Sequence, residues 1–163
     1  MGAMNQAATR VIRELGLEPH PEGGFYREIF RSAYDVLPSD TKRPLRAAMT
    51  LIYFLLPAGA KSKWHRVSSD EAWHHLDGAP LELFEMRKES VTTMRLGKDI
   101  AGGEVFQHVI PAGVFQAAWT MGDYTLVGCT VAPGFDFQDF EMPKKSVLLE
   151  LFPAHAMWIE ALG

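Results

Sequence analysis

The chain has 163 residues, 47% of them hydrophobic and 22% charged, a composition that excludes a disordered or fibrous protein. Its 16 Lys and Arg are outnumbered by 20 Asp and Glu, and no basic run is longer than the pair Lys144-Lys145, so no nucleic-acid partner is expected. The single cysteine, Cys129, excludes an intrachain disulfide and favours a reducing, cytoplasmic location.

The predicted elements begin with a helix. Ala8, Val11, Ile12 and Leu15 recur at helical spacing, and Gly16 follows them as a stop signal. The longest apolar run, residues 47–60, contains Thr50 and Pro57 and is shorter than the roughly 20 apolar residues that a membrane span needs. It is interpreted as a buried strand, and no membrane partner is expected.

From residue 24 to residue 133 the pattern changes to short segments rich in aromatic and β-branched residues, separated by Pro, Gly, Asp and Ser. These segments predict strands near 24–32, 47–56, 63–67, 71–76, 81–87, 91–96, 106–110, 114–119 and 124–131. Many short strands without helices between them favour an antiparallel sandwich or barrel. Two C-terminal helices, 146–151 and 154–162, are predicted on either side of Pro153. No linker or repeat divides the chain, so residues 1–163 are expected to form one domain.

The most informative stretch for chemistry runs from Gly59 to Gly78. Side chains alternate along a strand, so Glu71, Trp73 and His75 share one face of the strand that follows His65. If both strands turn these faces inward, His65 and Glu71 meet in the interior. Strict alternation favours His75 over His74 as the inward histidine, and a β-bulge would reverse that choice.

This stretch, with the spacing Gly-x5-His-x-Val-x3-Glu-x6-Gly, resembles the first signature of the cupin superfamily. Downstream, Pro111-Ala112-Gly113-Val114-Phe115-Gln116 is similar to the second signature. Further blocks resemble one RmlC-like cupin branch, often described as similar to nucleotide-sugar epimerases and plant storage globulins; they are His20 to Glu28, Trp64 to Val67, Ser69 to His74 and Cys129 to Phe137. The resemblance implies an antiparallel double-stranded β-helix, the jelly-roll barrel of cupins, and a homodimer.

The resemblance also implies a metal site of three His and one Glu, and the sequence departs from it. His65 and Glu71 are present, but Val67 and Gln116 occupy the other two positions. Valine cannot coordinate a metal, and a Gln carbonyl is a poor ligand for transition metals. No cofactor is therefore expected. The alternative is a divalent metal, with His65, Glu71 and Gln116 as its ligands.

Without a metal, His65 and Glu71 form a candidate general acid/base pair. The expected function is an epimerase-like or isomerase-like reaction on a sugar or sugar derivative. Two alternatives stay open, a noncatalytic barrel that binds or senses a ligand and a metal-dependent cupin oxygenase or isomerase. The predicted ligand-binding side chains are Tyr26, Glu28, Tyr53, Trp73, His75 and Gln116. The segment from Pro133 to Phe137 is interpreted as a turn toward the C-terminal helices, with a mobile lid as the alternative.

Overall fold

The computed structural model describes residues 5–40 and 42–163, in which two antiparallel sheets face each other across a shared interior. The helices are α1 (Gln6–Leu15), α2 (Lys145–Leu151) and α3 (Ala156–Leu162). The strands are β1 (Glu18–Pro19), β2 (Phe25–Arg31), β3 (Asp35–Val36), β4 (Arg46–Ala47), β5 (Thr50–Pro57), β6 (Lys61–Val67), β7 (Asp70–Gly78), β8 (Leu81–Met86), β9 (Val91–Leu96), β10 (Gln107–Ile110), β11 (Phe115–Thr120), β12 (Tyr124–Ala132) and β13 (Phe140–Glu141).

The first sheet has six strands in the order β1-β2-β5-β12-β7-β10, and the second has five in the order β13-β6-β11-β8-β9. β3 and β4 pair with each other apart from both. The neighbours β6 and β7 belong to different sheets, so the chain crosses the barrel at Ser68 and Ser69 instead of forming a hairpin. The predicted antiparallel barrel with helices at both ends is confirmed.

Helix α1 forms where the sequence predicts it. The Asn5 side chain caps it by accepting the N–H of Ala7 at 2.7 Å, and it ends at Gly16, whose φ of 62° few other residues adopt. Its apolar side packs on the outer face of the first sheet, against Leu55 and Leu126. No helix in the described ranges has the length and apolarity that crossing a bilayer requires.

Besides the layer under α1, two layers of apolar packing hold the barrel together. Phe54 and Trp73 of the first sheet meet Leu81 and Leu83 of the second in the interior. On the outer face of the second sheet, Trp64 and other large side chains pack under α2 and α3. Both faces of the second sheet are therefore buried around these side chains, whereas its edge strand β9 and part of the outer face of the first sheet are open to solvent.

Candidate functional site

One end of the barrel interior is open and forms a cavity of about 280 Å³. Strands β2, β5, β7 and β12 supply its wall from the first sheet, and β6 supplies His65 and Val67 from the second. The chain before β2 and the segment from Phe135 to Phe140 complete it. Most of the lining side chains are apolar or aromatic, which is typical of a small-molecule site with a few polar groups.

His65 enters the cavity from β6 and is 2% exposed. Its Nδ1 lies 2.7 Å from the carbonyl oxygen of Lys63, so Nδ1 carries the proton and donates it. Nε2 is then a bare acceptor on the cavity side. Burial lowers the pKa of His65, although the nearby charge of Glu71 opposes the change, and the ring is neutral at physiological pH.

Glu71 faces the same cavity from β7, in the opposite sheet. Its Oε2 accepts a hydrogen bond from the Gln116 side-chain nitrogen at 2.5 Å, and the Cys129 thiol contacts the same carboxyl group. Burial raises the pKa of Glu71 to about 7. A carboxyl group with that pKa gives and takes protons readily at neutral pH.

Two further ionisable side chains, His20 and Glu22, line the cavity, and the sequence analysis assigned them no role. Glu22 Oε2 lies 3.3 Å from His65 Nε2 and 3.4 Å from His20 Nδ1, while Oε1 accepts the Ser62 hydroxyl at 2.8 Å. The carboxylate nearest to His65 among these contacts is therefore Glu22, a residue that lies outside the strands.

The hydrogen bonds indicate which of these groups carries a proton. The backbone N–H of Glu22 donates to His20 Nδ1 at 3.3 Å, so that nitrogen is bare, as His65 Nε2 is. An ionised Glu22 would set its lone pairs against two bare nitrogens. Burial raises the pKa of Glu22 to about 8, which leaves the carboxyl group protonated at neutral pH and able to donate to the bare Nε2 of His65.

Two consecutive glycines bring His20 and Glu22 into the cavity. Gly23 and Gly24 have φ values of 113° and 71°, in the region that favours glycine. A Cβ atom on Gly23 would overlap the carbonyl oxygen of Lys61, and one on Gly24 would lie 2.7 Å from that of Leu55. The two glycines of the His20 to Glu28 block therefore let the loop lie directly on β5 and β6.

Of the predicted ligand-binding residues, Tyr26, Glu28 and Trp73 line the cavity. Tyr26 is half-buried at its wall. Glu28 lies at the solvent side and holds Arg31 through contacts of 2.7 and 2.9 Å. Arg31 in turn donates to the carbonyl oxygen of Phe135 at 3.0 Å, which ties the 135–140 segment to β2. The ligand-binding role of these three residues stays a prediction.

Tyr53 lies on the wrong face of β5 to line the cavity. Its neighbours Ile52 and Phe54 point inward, so alternation turns Tyr53 outward, where it packs beside Leu55 against α1. The prediction failed because residues 47–56 are apolar on both faces and show no alternating pattern.

His75 does share the inward face with Glu71 and Trp73, as alternation predicts, but it lies farther along β7 than the cavity. Its Nε2 contacts the carbonyl oxygen of Ala79 at 3.0 Å. His74 points outward, where its Nε2 lies 3.0 Å from the Thr130 hydroxyl. The irregularity in β7 opposite Leu126 and Val127 comes after His75, so it does not reverse the choice between the two.

Gln116 is an internal support for the site and does not fit a metal ligand. Its Oε1 accepts the indole N–H of Trp73 at 2.9 Å and its nitrogen donates to Glu71, so both ends of the amide are occupied. Val67, at another position of the expected ligand set, offers no donor atom. Within residues 5–40 and 42–163, no three His, Cys, Asp or Glu side chains are grouped to hold a metal ion.

The sequence is similar to known proteins of the cupin superfamily. Residues 9–143 match the family model described as "Cupin superfamily (DUF985)". An uncharacterized protein of Saccharomyces cerevisiae, YML079W, is 31% identical over 145 residues, which cover 80% of this chain and 72% of that protein. These matches agree with the two signatures that the sequence analysis identified.

Two solved structures are similar over nearly their whole length. A hypothetical protein from Leishmania major has a TM-score of 0.91 at 34% identity, covering 96% of this chain and 98% of the other. Protein SO0799 from Shewanella oneidensis has a TM-score of 0.87 at 39% identity, covering 96% of each chain.

Proposed function

Because this chain belongs to the DUF985 family of the cupin superfamily, we propose that it binds a small polar molecule, a sugar or sugar derivative, and changes it by metal-independent acid/base chemistry. His65 and Glu71 are the catalytic pair in this proposal. The class of reaction is an epimerisation or isomerisation, in which a proton leaves one carbon and returns to the same or a neighbouring carbon.

The observation that carries the proposal is the opposition of His65 and Glu71 across one cavity. They come from different sheets, both are at least nine-tenths buried, and each affects the pKa of the other. His65 presents a bare Nε2, and Glu71 has a pKa of about 7. Two proton-exchanging groups on opposite walls suit a reaction that removes and restores a proton.

The rest of the wall suits a sugar-like molecule. Aromatic side chains line the cavity, namely Tyr26, Phe54, Trp73 and Phe135, and the apolar side of a sugar ring packs on aromatic surface. The carboxyl and imidazole groups offer hydrogen bonds to the oxygens of a sugar. A cavity of about 280 Å³ accommodates a small molecule, and a larger one only in part.

A noncatalytic binding barrel is the second candidate, because both proposed catalytic groups are also held by the protein. Gln116 and Cys129 engage Glu71, while the Lys63 carbonyl and Glu22 engage His65. Such a protein would be stabilised against heat by its ligand and would return the ligand unchanged. A metal-dependent reaction has less support, since Val67 and Gln116 do not supply the ligands it needs.

We also propose that the protein is a cytoplasmic homodimer that pairs through the outer face of its first sheet. Cross-strand pairing puts Phe30, Leu51, Thr130, Ala72 and Val109 in one outward row across five strands. Phe30 and Val109 are about half exposed, at 48% and 52%. An apolar row of this kind on a sheet face is a surface that a second copy could cover.

The experiment that tests the catalytic proposal begins with a heat-stability screen of aldoses, ketoses and their derivatives. Compounds that raise the melting temperature are then incubated with the protein in D₂O, and deuterium gained at carbon is measured. His65→Ala and Glu71→Gln should each abolish the exchange, and Glu150→Gln, the same chemical change on an exposed face of α2, should not. Exchange that continues unchanged in His65→Ala would refute the acid/base proposal.

A further inference from the structure

His20 lines the cavity, and its Nε2 atom has no role in the proposed acid/base reaction of His65 and Glu71. Its side chain is 6% exposed. The Glu22 N–H occupies Nδ1, so the ring proton is on Nε2, which makes no hydrogen bond within residues 5–40 and 42–163. In the described ranges, His75 Nδ1 is the only fully buried polar side-chain atom that lacks a hydrogen-bond partner. His20 Nε2 also lacks a partner, so it is not fully buried, and it is accessible from the cavity that the ring lines.

Aromatic rings hold the His20 imidazole in place. The centroid of Tyr26 lies 4.5 Å away, and those of Phe54, Phe140 and Phe137 lie 5.9, 5.9 and 6.0 Å away. Burial, helped by the nearby His65, lowers the pKa of His20 to about 4. His20 is therefore a neutral N–H donor with a fixed orientation, and it stays so over the physiological pH range.

We propose that His20 donates its Nε2–H to a carbonyl oxygen of the bound molecule, and hence that the ligand is an uncharged carbonyl compound. This inference rests on the proposed acid/base function and names its substrate class. An anionic acceptor fits less well, because Glu71 faces the cavity and Arg31, the cation that also lines it, is already paired with Glu28. A carbonyl oxygen is the acceptor that suits the proposed reaction, because a carbonyl group acidifies the protons on the carbon beside it.

The step balances without a co-reactant. The Glu71 carboxylate takes the proton from the carbon next to the C=O group, the C–H electron pair becomes a C=C bond, and the C=O π electrons move to the oxygen. The His20 N–H then faces a developing negative charge, and a preoriented donor in a water-poor site stabilises that charge strongly. Return of the proton to carbon restores the carbonyl, so nothing is oxidised or reduced.

The test uses dihydroxyacetone and glycerol, which differ only in the central carbonyl group. With ¹⁵N-histidine-labelled protein, we expect the ligand-free spectrum to show the His20 proton on Nε2, and dihydroxyacetone to shift that signal. Dihydroxyacetone should bind about fivefold more tightly than glycerol, the ratio that one neutral hydrogen bond supplies. A proton on Nδ1, or equal affinity for the two compounds, would overturn the assignment.

Two substitutions separate donation from packing. His20→Phe keeps a ring among the aromatic neighbours and removes the donor, so it should fold and lose the preference for dihydroxyacetone. His20→Gln keeps an N–H donor and should retain part of the preference. An unchanged preference in a folded His20→Phe protein would refute the role of His20. The acid/base function is judged separately, by deuterium exchange in His65→Ala.

Discussion

The indole of Trp73 determines which way the Gln116 amide faces. Its Nε1–H donates to Gln116 Oε1 at 2.9 Å, which leaves the amide nitrogen to donate to Glu71 at 2.5 Å. Rotating the amide would set one donor against another and one acceptor against another. The residue at a position where cupins usually carry a metal-binding His thus connects an aromatic wall residue to a carboxyl group.

Replacing Gln116 should destabilise the fold through that connection. Gln116→Leu leaves the buried Trp73 N–H without an acceptor and removes the amide donor from the buried Glu71 carboxyl group. We expect a loss of about 2–4 kcal/mol in the free energy of unfolding, measured with urea, because each unsatisfied buried group costs about 1–3 kcal/mol. Gln107→Leu, at an exposed position of β10, is the control and should change little.

Stability should fall as pH rises from about 6.5 to 8. Burial raises the pKa of Glu71 to about 7 and that of Glu22 to about 8. At pH values between the pKa of each group in the unfolded chain and its pKa in the folded protein, the folded state therefore binds more protons than the unfolded state. The stability they contribute is complete at low pH and is lost as pH rises through the folded values. His20 and His65, whose pKa values are lowered, act in the opposite direction below about 6.5.

Urea unfolding at pH values from 6.5 to 8 measures this decline, which is at most about 1.4 kcal/mol per pH unit for each proton. Glu22→Gln should flatten the upper part of the curve because it removes the group with the higher pKa. Glu150→Gln should leave the slope as it is. A wild-type stability that does not vary over this range would contradict the raised pKa values.

A buried ion pair should anchor the segment that covers the cavity. Asp139 Oδ1 and Oδ2 each accept a hydrogen bond from Arg46 at 2.8 Å, and Arg43 also contacts Oδ2 at 3.2 Å. Among the described residues, Arg46→Ala leaves Arg43 as the only cation in contact with the buried negative charge of Asp139. We expect the free energy of unfolding, measured by heat or urea, to fall by about 3 kcal/mol.

The matched control for that prediction is Arg66, whose partner Glu141 lies two residues beyond Asp139. Arg66 pairs with Glu141 at the surface, so Arg66→Ala should lower the free energy of unfolding by less than about 1 kcal/mol. Equal losses in Arg46→Ala and Arg66→Ala would mean that burial of the Asp139 pair has no special effect.

The proposed dimer face yields a prediction about assembly. Ala72 lies in the middle of the outward row, so Ala72→Glu places a charge where two apolar faces would meet. Light scattering after size-exclusion chromatography should show a dimer for the wild type and a monomer for this variant. Thr93→Glu, an exposed change on β9, should remain a dimer. A wild-type monomer would remove the proposal.

The sequence predicted the strands more accurately than it predicted the site. Residues 91–96 match β9 at both ends, because a turn bounds the segment on each side. His65, Glu71 and Trp73 reach the cavity because the irregularities of their strands lie outside the predicted stretches: the shift in β6 comes before His65 and the shift in β7 comes after His75. That residues 1–163 form one domain stays a prediction.

His20 and Glu22 could not be located from periodicity, because they lie in a turn between two strands where side chains follow no repeat. Their positions depend on contacts with Lys61 and Ser62, about forty residues away in the sequence. The role of Gln116 also could not be predicted from the sequence, because a side-chain amide can bind a metal, a ligand or other groups of the protein. The positions of Trp73 and Glu71 show that it binds groups of the protein.

Backbone spacing at Gly23 and Gly24 has a consequence for how ligand preference in this barrel can change. Any side chain at position 23 would push the loop off the Lys61 carbonyl and carry His20 and Glu22 away from the cavity. A single added methyl group would thus remove two polar groups at once without altering either of them. A substitution at either glycine should therefore change which ligands the cavity binds in a single step, and not by a gradual change in affinity.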